Sequence, residues 1–449
     1  MAEYKLTVGL EVHAELNTRT KMFCDSKNDP NEARPNVNIC PVCMAHPGTL
    51  PVINKEAVKS VLRLGLAVGG KLADYTEFDR KNYFYPDIPK GYQLSQYKYP
   101  LVSGGELAGV KLTRVHLEED TARSSHEGEH SLVDYNRAGV PLMELVTEPV
   151  ITSATQASKF AKELQTLLTY LKIAEANMEK GEMRIEANVS VSATDKFGTK
   201  VEVKNINSFK AVEKAIQFEY ERQVRLLEEG GQVVQETRGW DENVGATFSQ
   251  RVKEDSHDYR YFPDPDLPKL KISEVPEFNL GVLKQTLPEL PSEKRERLLK
   301  LGLAPEHVEI YINDPEWGSY FEEVSKLLSG SELVLASNYI TSELKRPVEA
   351  KELAEVVKMY GAEELSSKGV KSVLKVLMEE GGEAQEIATR LNLTQINDEN
   401  ILRSLVEEVR AGEKAGAPTQ FIVGQVIKKS GGRANPILLQ KIVSENTAK

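Results

Sequence analysis

Cysteine is scarce in this chain. Three among 449 residues is an odd number, which excludes a paired disulfide framework and fits reduced thiols inside a cell. Nowhere do eighteen apolar residues run together, so no membrane span is expected. The opening MAEYKLTVGLEVHAEL has neither the basic leader nor the apolar run of a signal peptide, and the cytoplasm is the expected compartment. Positive charge is in deficit as well: 57 Lys and Arg against 68 Asp and Glu leave a net charge of -11. That balance argues against a general coat for nucleic acid and leaves room only for a local basic patch. Internal repeats and low-complexity tracts are absent. What remains is ordinary, 40% apolar and 28% charged, with length for roughly two to four domains.

The richest chemistry lies between Arg114 and Pro149. The segment RVHLEEDTARSS brings His116, Glu118, Glu119 and Asp120 together, and DYNRAGVPLMELVTEP adds Asp134, Arg137, Glu144 and Glu148. Carboxylates crowded in this way repel one another unless solvent or a cation relieves them. Two exposed acidic turns would explain the composition. The interleaving points elsewhere, because Val115 and Leu117 alternate with the polar residues, as do Leu142, Met143 and Leu145 around Glu144. Such alternation puts carboxylates on strands with one apolar face, as half of a site where oxygen ligands and phosphates share a hard cation.

Upstream, LTVGLEVHAEL alternates too, so Glu11 and His13 share a strand face, either as a surface ion pair or as metal ligands. Cys24 followed by Cys40-Pro-Val-Cys43 has the spacing of a structural zinc site with one ligand missing. His46 is the normal zinc ligand nearby, and reduced cysteines in a turn remain the other reading. A helix over 55–69 ends at Gly69-Gly70, and residues 78–97 mix Arg80, Lys81 and Lys90 with tyrosines and phenylalanines, either packing or a nucleotide surface.

Residues 154–173 keep helical spacing. Strands are expected over 183–191 and 200–206, where Arg184, Glu186 and Asn188 share a face and Glu202 and Lys204 share another, leading into Asn205, Asn207 and Ser208. A second hairpin, 233–240 and 246–254, carries Arg238, Arg251 and Lys253, with Arg260 beyond it; these form either an anion-binding wall or solvated strand edges. After Pro288-Glu-Leu-Pro291 strand patterns vanish and helical spacing takes over. The stretch from Phe421 onward reverses the overall charge, with Lys428, Lys429, Arg433, Lys441 and Lys449 against the single acid Glu445.

Eight stretches, in order, resemble the B-subunit family of the heterotrimeric aspartyl/glutamyl-tRNA amidotransferases over essentially the whole chain. They are GLEVHAEL (9–16), FDRKNYFYPDIPKGYQLSQ (78–96), HLEEDTARS (116–124), DYNRAGVPLMELVTEP (134–149), EVKNINSF (202–209), QETRGWDE (235–242), DYRYFPDPDLP (258–268) and VGQVIKKSGGRANP (423–436). The resemblance implies an α+β chain. Residues 1–287 would form an antiparallel-sheet cradle like that of glutamine synthetase and the guanidino kinases. Residues 288–391 would form an all-α helical domain, and 392–449 a small α-helical tail that binds tRNA through Lys428, Lys429 and Arg433.

In that family ATP phosphorylates the side-chain carboxylate of glutamate or aspartate mischarged on tRNA(Gln) or tRNA(Asn). Ammonia from an amidase A subunit then displaces the phosphate, and a small C subunit completes the heterotrimer. Motif match assigns Glu11, His13, Glu119 and Glu144 to the catalytic Mg²⁺, with ATP and phosphate contacts expected from Glu202, Lys204, Asn205, Asn207, Ser208, Arg251 and Lys253. Many family members have a fourth cysteine where this chain has Ser26. Zinc at Cys24, Cys40 and Cys43 would therefore need His46 or water as well. The related archaeal subunit carries a long inserted domain for which this chain has no room. Two other functions stay open on the residues alone: a stand-alone ATP-dependent ligase acting on a free amino acid, and a non-catalytic RNA-binding scaffold.

Overall fold

The computed structural model describes residues 3–252, 258–412 and 418–445. The chain divides into two compact units, Met1–Leu290 and Pro291–Lys449. The first is built on a thirteen-stranded sheet among the described residues, ten strands of which follow one path. In chain order these are β1 (Lys5–Glu15), β2 (Asp79–Asn82), β3 (Tyr92–Ser95), β4 (Val110–Glu119) and β5 (Pro141–Thr147). They continue as β6 (Met183–Ser192), β7 (Val201–Ile206), β8 (Glu236–Asp241), β9 (Ala246–Val252) and β10 (Phe262–Pro263). Across the sheet the order runs β9-β8-β7-β6-β1-β5-β4-β3-β2-β10, and every neighbouring pair is antiparallel except β7 and β8.

Period-two alternation gives this sheet two unlike faces. Val8, Leu10, Val12 and Ala14 of β1 are fully buried, as are Val115 and Leu117 of β4 and Ala187 and Val189 of β6. They join one core with the helices α1 (Lys55–Ala67), α2 (Ala154–Tyr170) and α3 (Phe209–Glu228). Each such aliphatic side chain contributes about 1.5–3 kcal/mol on burial. Side-chain caps start the helices: Asn54 accepts from the amides of Glu56 and Ala57, and Ser153 and Ser208 accept from Gln156 and Ala211. Gly69, at φ 67°, lets the chain turn away after α1. The opposite face carries the polar residues of the same strands and is open.

The second unit is helical throughout its described residues. Seven helices from Pro291 to Arg390 enclose a core that includes Leu298, Tyr311, Phe321, Val357 and Leu374. Proline at the first turn of Pro305–Asn313 and of Pro315–Ser325 sets where those helices begin. Glu399–Gly412, Thr419–Lys429 and Pro436–Glu445 close over a separate apolar cluster of Leu402, Val406, Ile422, Val426 and Leu439. A large sheet followed by a helical region is the coarse α+β order expected from the sequence. Among the described residues no helix is long and apolar enough to cross a membrane.

Candidate active site

The open face of the sheet is the floor of a cleft of about 870 Å³. At its centre His13 of β1, Glu118 of β4 and Glu144 of β5 bring one ligand atom each within 4.8 Å of the others. Strand register does this: His13 lies opposite Glu144, and Glu144 lies opposite His116. His13 Nε2 is 3.5 Å from Glu118 Oε1 and 3.6 Å from Glu144 Oε2. The buried His116 approaches Glu144 from the other side at 3.2 Å, and Arg114 stands 3.9 Å away.

A second group lies alongside, on β1, β6 and β7. Glu11, Glu186 and Glu202 likewise offer oxygens within 4.8 Å of one another. Here the cation is Lys204, whose Nζ is 3.0 Å from Glu186 and 3.4 Å from Glu202. Asn188 donates to Glu11 at 2.8 Å, and the Thr237 hydroxyl donates to Glu202 at 2.8 Å.

These contacts set the charges. Burial works against a charge on His13, but its bond to Glu144 and the charges of Glu118, Glu144 and Glu186 raise it to about 9. Burial opposes Glu144 too, and His116 and His13 overcome it, holding that carboxyl far below the ordinary range. In the second group burial and the charge of Glu202 raise Glu186 against the pull of Lys204 and His13. Glu202 is lowered: burial resists ionisation, and Lys204 and Thr237 outweigh it.

Glu119, expected with Glu11, His13 and Glu144, is not brought to them. It lies one residue further along β4 and so on the other side of the strand. There its carboxylate is held by the Lys90 ammonium and by the Leu94 amide at 2.9 Å. Its neighbour Glu118 occupies the cleft. Asp120, just past the strand, accepts from Arg184 at 2.8 Å with Arg137 at 3.6 Å.

Of the residues expected at ATP, Glu202 and Lys204 line the cleft, whereas Asn205, Asn207 and Ser208 stand outside that lining, where β7 passes into α3. Asn205 turns the chain there at φ 62°, and Ser208 is committed to capping α3. Arg251 belongs to β9, but its side chain, like all of Lys253, lies outside the described residues. Lys428 and Lys429 close the Thr419–Lys429 helix, both exposed, with Lys429 bonded to Glu408 at 2.5 Å. Arg433 follows and donates to Asn392 at 2.8 Å.

Cys24, Cys40 and Cys43 do converge, with sulfurs within 4.8 Å of one another, and His46 is not part of that group. Ser26 Oγ is 3.8 Å from the Cys43 sulfur, and so is Nζ of the fully buried Lys21. A hydrogen bond from Cys24, then Lys21 and the Cys40 amide, outweigh burial and lower Cys43 to about 4. Three sulfurs around a buried ammonium make a thiolate site short of one ligand.

The residue pattern names Glu118 and Glu186 without giving them a role, and it leaves His116 and Arg114 unconnected to Glu144. The signal for them is present in the chain. Val115 and Leu117 face the core, so Arg114, His116 and Glu118 must share the opposite face.

Two family models match this chain: the GatB/GatE catalytic domain over residues 6–276 and the GatB domain over residues 320–446. The chain is 41% identical to the B subunit of the aspartyl/glutamyl-tRNA(Asn/Gln) amidotransferase of Persephonella marina, in a match that covers 99% of each chain. It is 40% identical to the protein of the same name from Crocosphaera subtropica, over 99% of this chain and 97% of that one. With the chloroplastic/mitochondrial B subunit of the glutamyl-tRNA(Gln) amidotransferase of Physcomitrium patens it shares 41% identity, over 98% of this chain and 85% of the relative.

Proposed function

The chain belongs to the family of aspartyl/glutamyl-tRNA(Asn/Gln) amidotransferase B subunits, and from that membership we propose that it performs the ATP-dependent chemistry of a glutamine-hydrolysing aminoacyl-tRNA amidotransferase. Its substrate is glutamate mischarged on tRNA(Gln), aspartate mischarged on tRNA(Asn), or both. The side-chain carboxylate attacks the γ-phosphorus of ATP, a C–O–P link forms and ADP leaves. Ammonia, released from glutamine by an amidase A subunit, then attacks the acyl carbon; phosphate departs, a proton is lost, and the amide remains. A small C subunit completes the heterotrimer. Likeness along the full length favours this over a ligase for free amino acids or a scaffold without catalysis.

The first step brings two anions together, so the site must supply positive charge. Three carboxylate oxygens beside an unsatisfied amide oxygen fit a hard cation: Asn188 turns its nitrogen to Glu11, and its buried Oδ1 has no hydrogen-bond partner among the described residues. His13, Glu118 and Glu144 would hold one Mg²⁺ and Glu11, Glu186 and Glu202 a second; when bound, the cations supply the charge that lets carboxylate and phosphate meet. His116 keeps Glu144 ionised, and Arg114 stands beside it at 3.9 Å. Lys204 offers a fixed ammonium at the β7 side, where the triphosphate is assigned. Cys24, Cys40 and Cys43 fit a structural zinc in donor type, with Ser26 or water as fourth ligand.

The finer division proposed is a cradle over 1–287, related to glutamine synthetase and the guanidino kinases, then helices over 288–391 and a tRNA-binding tail over 392–449. Reversing the charges of Lys428, Lys429 and Arg433 should weaken tRNA binding and lower the slope of its salt dependence while leaving ATP binding unaltered. Unchanged tRNA affinity would remove the tail assignment.

The observation that carries the functional reading is the pair of carboxylate groups side by side on one cleft floor, each with its own counter-cation. It predicts that Glu144→Gln abolishes tRNA-dependent ATP hydrolysis and amide formation together, by about two to four orders of magnitude. Added ammonium should not rescue the variant, because the carboxylate is never activated. Normal acyl-phosphate formation by this variant would overturn the reading.

A further inference from the structure

The cleft has two unlike ends. Toward β7, β8 and β9 its walls carry Lys204, Thr237 and Gln250. Toward β3, β2 and β10 they are aromatic. Tyr97, two residues past β3, stacks face to face on Tyr261, one residue before β10, with ring centroids 4.1 Å apart and planes 9° from parallel. Tyr259 meets Tyr261 edge-on at 6.0 Å. Lys81 holds its ammonium 4.9 Å from the centre of the Tyr259 ring.

This wall is costly to explain as packing. Tyr97 is 58% exposed, so its outer surface covers no core. Apart from Leu142, the rest of the cleft it borders is lined by charged and polar groups. Flat rings presented to such a cleft, with a cation beside them, suit a planar π-system that carries a phosphate backbone. Tyr97 lies two residues beyond Ser95, which pairs with Glu118 across β3 and β4, and Tyr97, Tyr261, Glu118 and Glu144 all line this cleft, so this end of it adjoins the reacting centre.

We propose that the Tyr97–Tyr261 stack receives the base of the 3′-terminal adenosine of the aminoacyl-tRNA. The inference rests on the function proposed above and extends it to the residues that seat the second substrate. Chain length selects this base over the adenine of ATP. Three phosphates and a ribose separate an ATP adenine from the γ-phosphorus. Only a two- or three-carbon arm and an ester separate the reacting carboxylate from the terminal ribose. The base nearest Glu118 and Glu144 therefore belongs to the tRNA, and the triphosphate extends toward Lys204. Stacking on the tyrosines would hold the ester arm so that its carboxylate points at the centre of the floor.

The test uses the full chain in its assembled amidotransferase, with ATP hydrolysis stimulated by glutamyl-tRNA as the readout. Tyr97→Ala should raise KM for glutamyl-tRNA about tenfold, the size expected for one lost base–aromatic stack. KM for ATP should stay at its wild-type value, which also shows that the cleft is intact. Tyr97→Phe keeps the ring and should behave as wild type. A CCA trinucleotide should compete with glutamyl-tRNA better than its counterpart with an abasic end, and Tyr97→Ala should erase that difference. A rise in KM for ATP with tRNA unaffected would assign the wall to the nucleotide and overturn the proposal. So would the absence of any change, which would make the stack mere packing. A wild-type complex that consumes no ATP with either mischarged tRNA would instead fail the functional reading on which the proposal stands.

Discussion

Glu118 and Glu119 are consecutive, identical in chemistry and equally close to the acidic stretch that marks this chain, yet they serve opposite faces of one sheet. Glu118 faces the cleft, 3.5 Å from His13, in a group of like charges that only a cation satisfies in full. Glu119 faces inward and is satisfied already, by the Lys90 ammonium and the Leu94 amide. An acid left partly unsatisfied near a cavity is free to serve a ligand. One whose lone pairs are taken by the fold holds the fold together. The open face thus concentrates repulsion, and the covered face removes it.

The contrast breaks most sharply if the two acids are neutralised one at a time. Glu118→Gln should lower acyl-phosphate formation on glutamyl-tRNA by about two to four orders of magnitude. Its melting temperature should fall less than that of Glu119→Gln, because Glu118 lies beside another carboxylate as well as beside His13. Glu119→Gln should do the reverse. It strands the Lys90 ammonium in a setting where its side chain is only 15% exposed, a loss of about 3–5 kcal/mol of stability. Phosphoryl transfer at a temperature where the variant is still folded should stay within about tenfold of wild type. Chemistry lost in Glu119→Gln with melting unchanged would mean that the division by faces is wrong.

Glu15 sharpens the comparison from a third position. It shares the cleft face of β1 with Glu11 and His13, but it is only 7% exposed. Burial and the charge of Asp120 push its carboxyl up to about 8, against Arg137 and Arg184. A glutamate in the unfolded chain titrates near 4.5. The folded chain therefore binds the extra proton between those values, and its stability falls as pH rises from about 4.5 through about 8. Glu15→Gln has no proton to lose. Thermal melts should find it level with wild type below that window and about 1–3 kcal/mol more stable above it. Parallel pH profiles for the two proteins would show that Glu15 is wetter than its position implies.

Much of this was legible in the residues. The alternation in LTVGLEVHAEL places Glu11 and His13 on one face, and the loss of period-two patterning after Pro291 marks the change to helices. Family likeness then supplied a role for the acidic stretch. It also led to Glu119, because a motif carries adjacent acids together and cannot tell which one faces the cleft. The alternation of Val115 and Leu117 could have decided that. No pattern along the chain could pair Glu11 with Glu186 and Glu202, residues far apart in sequence that meet through the registers of β1 with β6 and β6 with β7.

By itself, then, the sequence determined the local quantities: which residues alternate, where helices start and stop, and how many cysteines exist to bind a metal. These depend on neighbours a few positions away, through backbone sterics and side-chain spacing. Only the tertiary structure decided that Glu11 and His13, on one strand face, contribute to two different groups, that His46 stays apart from the three cysteines, and that Tyr97 finds Tyr261 on one wall of the cleft. Those outcomes rest on strand order and register. Both are fixed by burying the apolar face of every strand at once, a sum over the whole sheet that no single stretch contains.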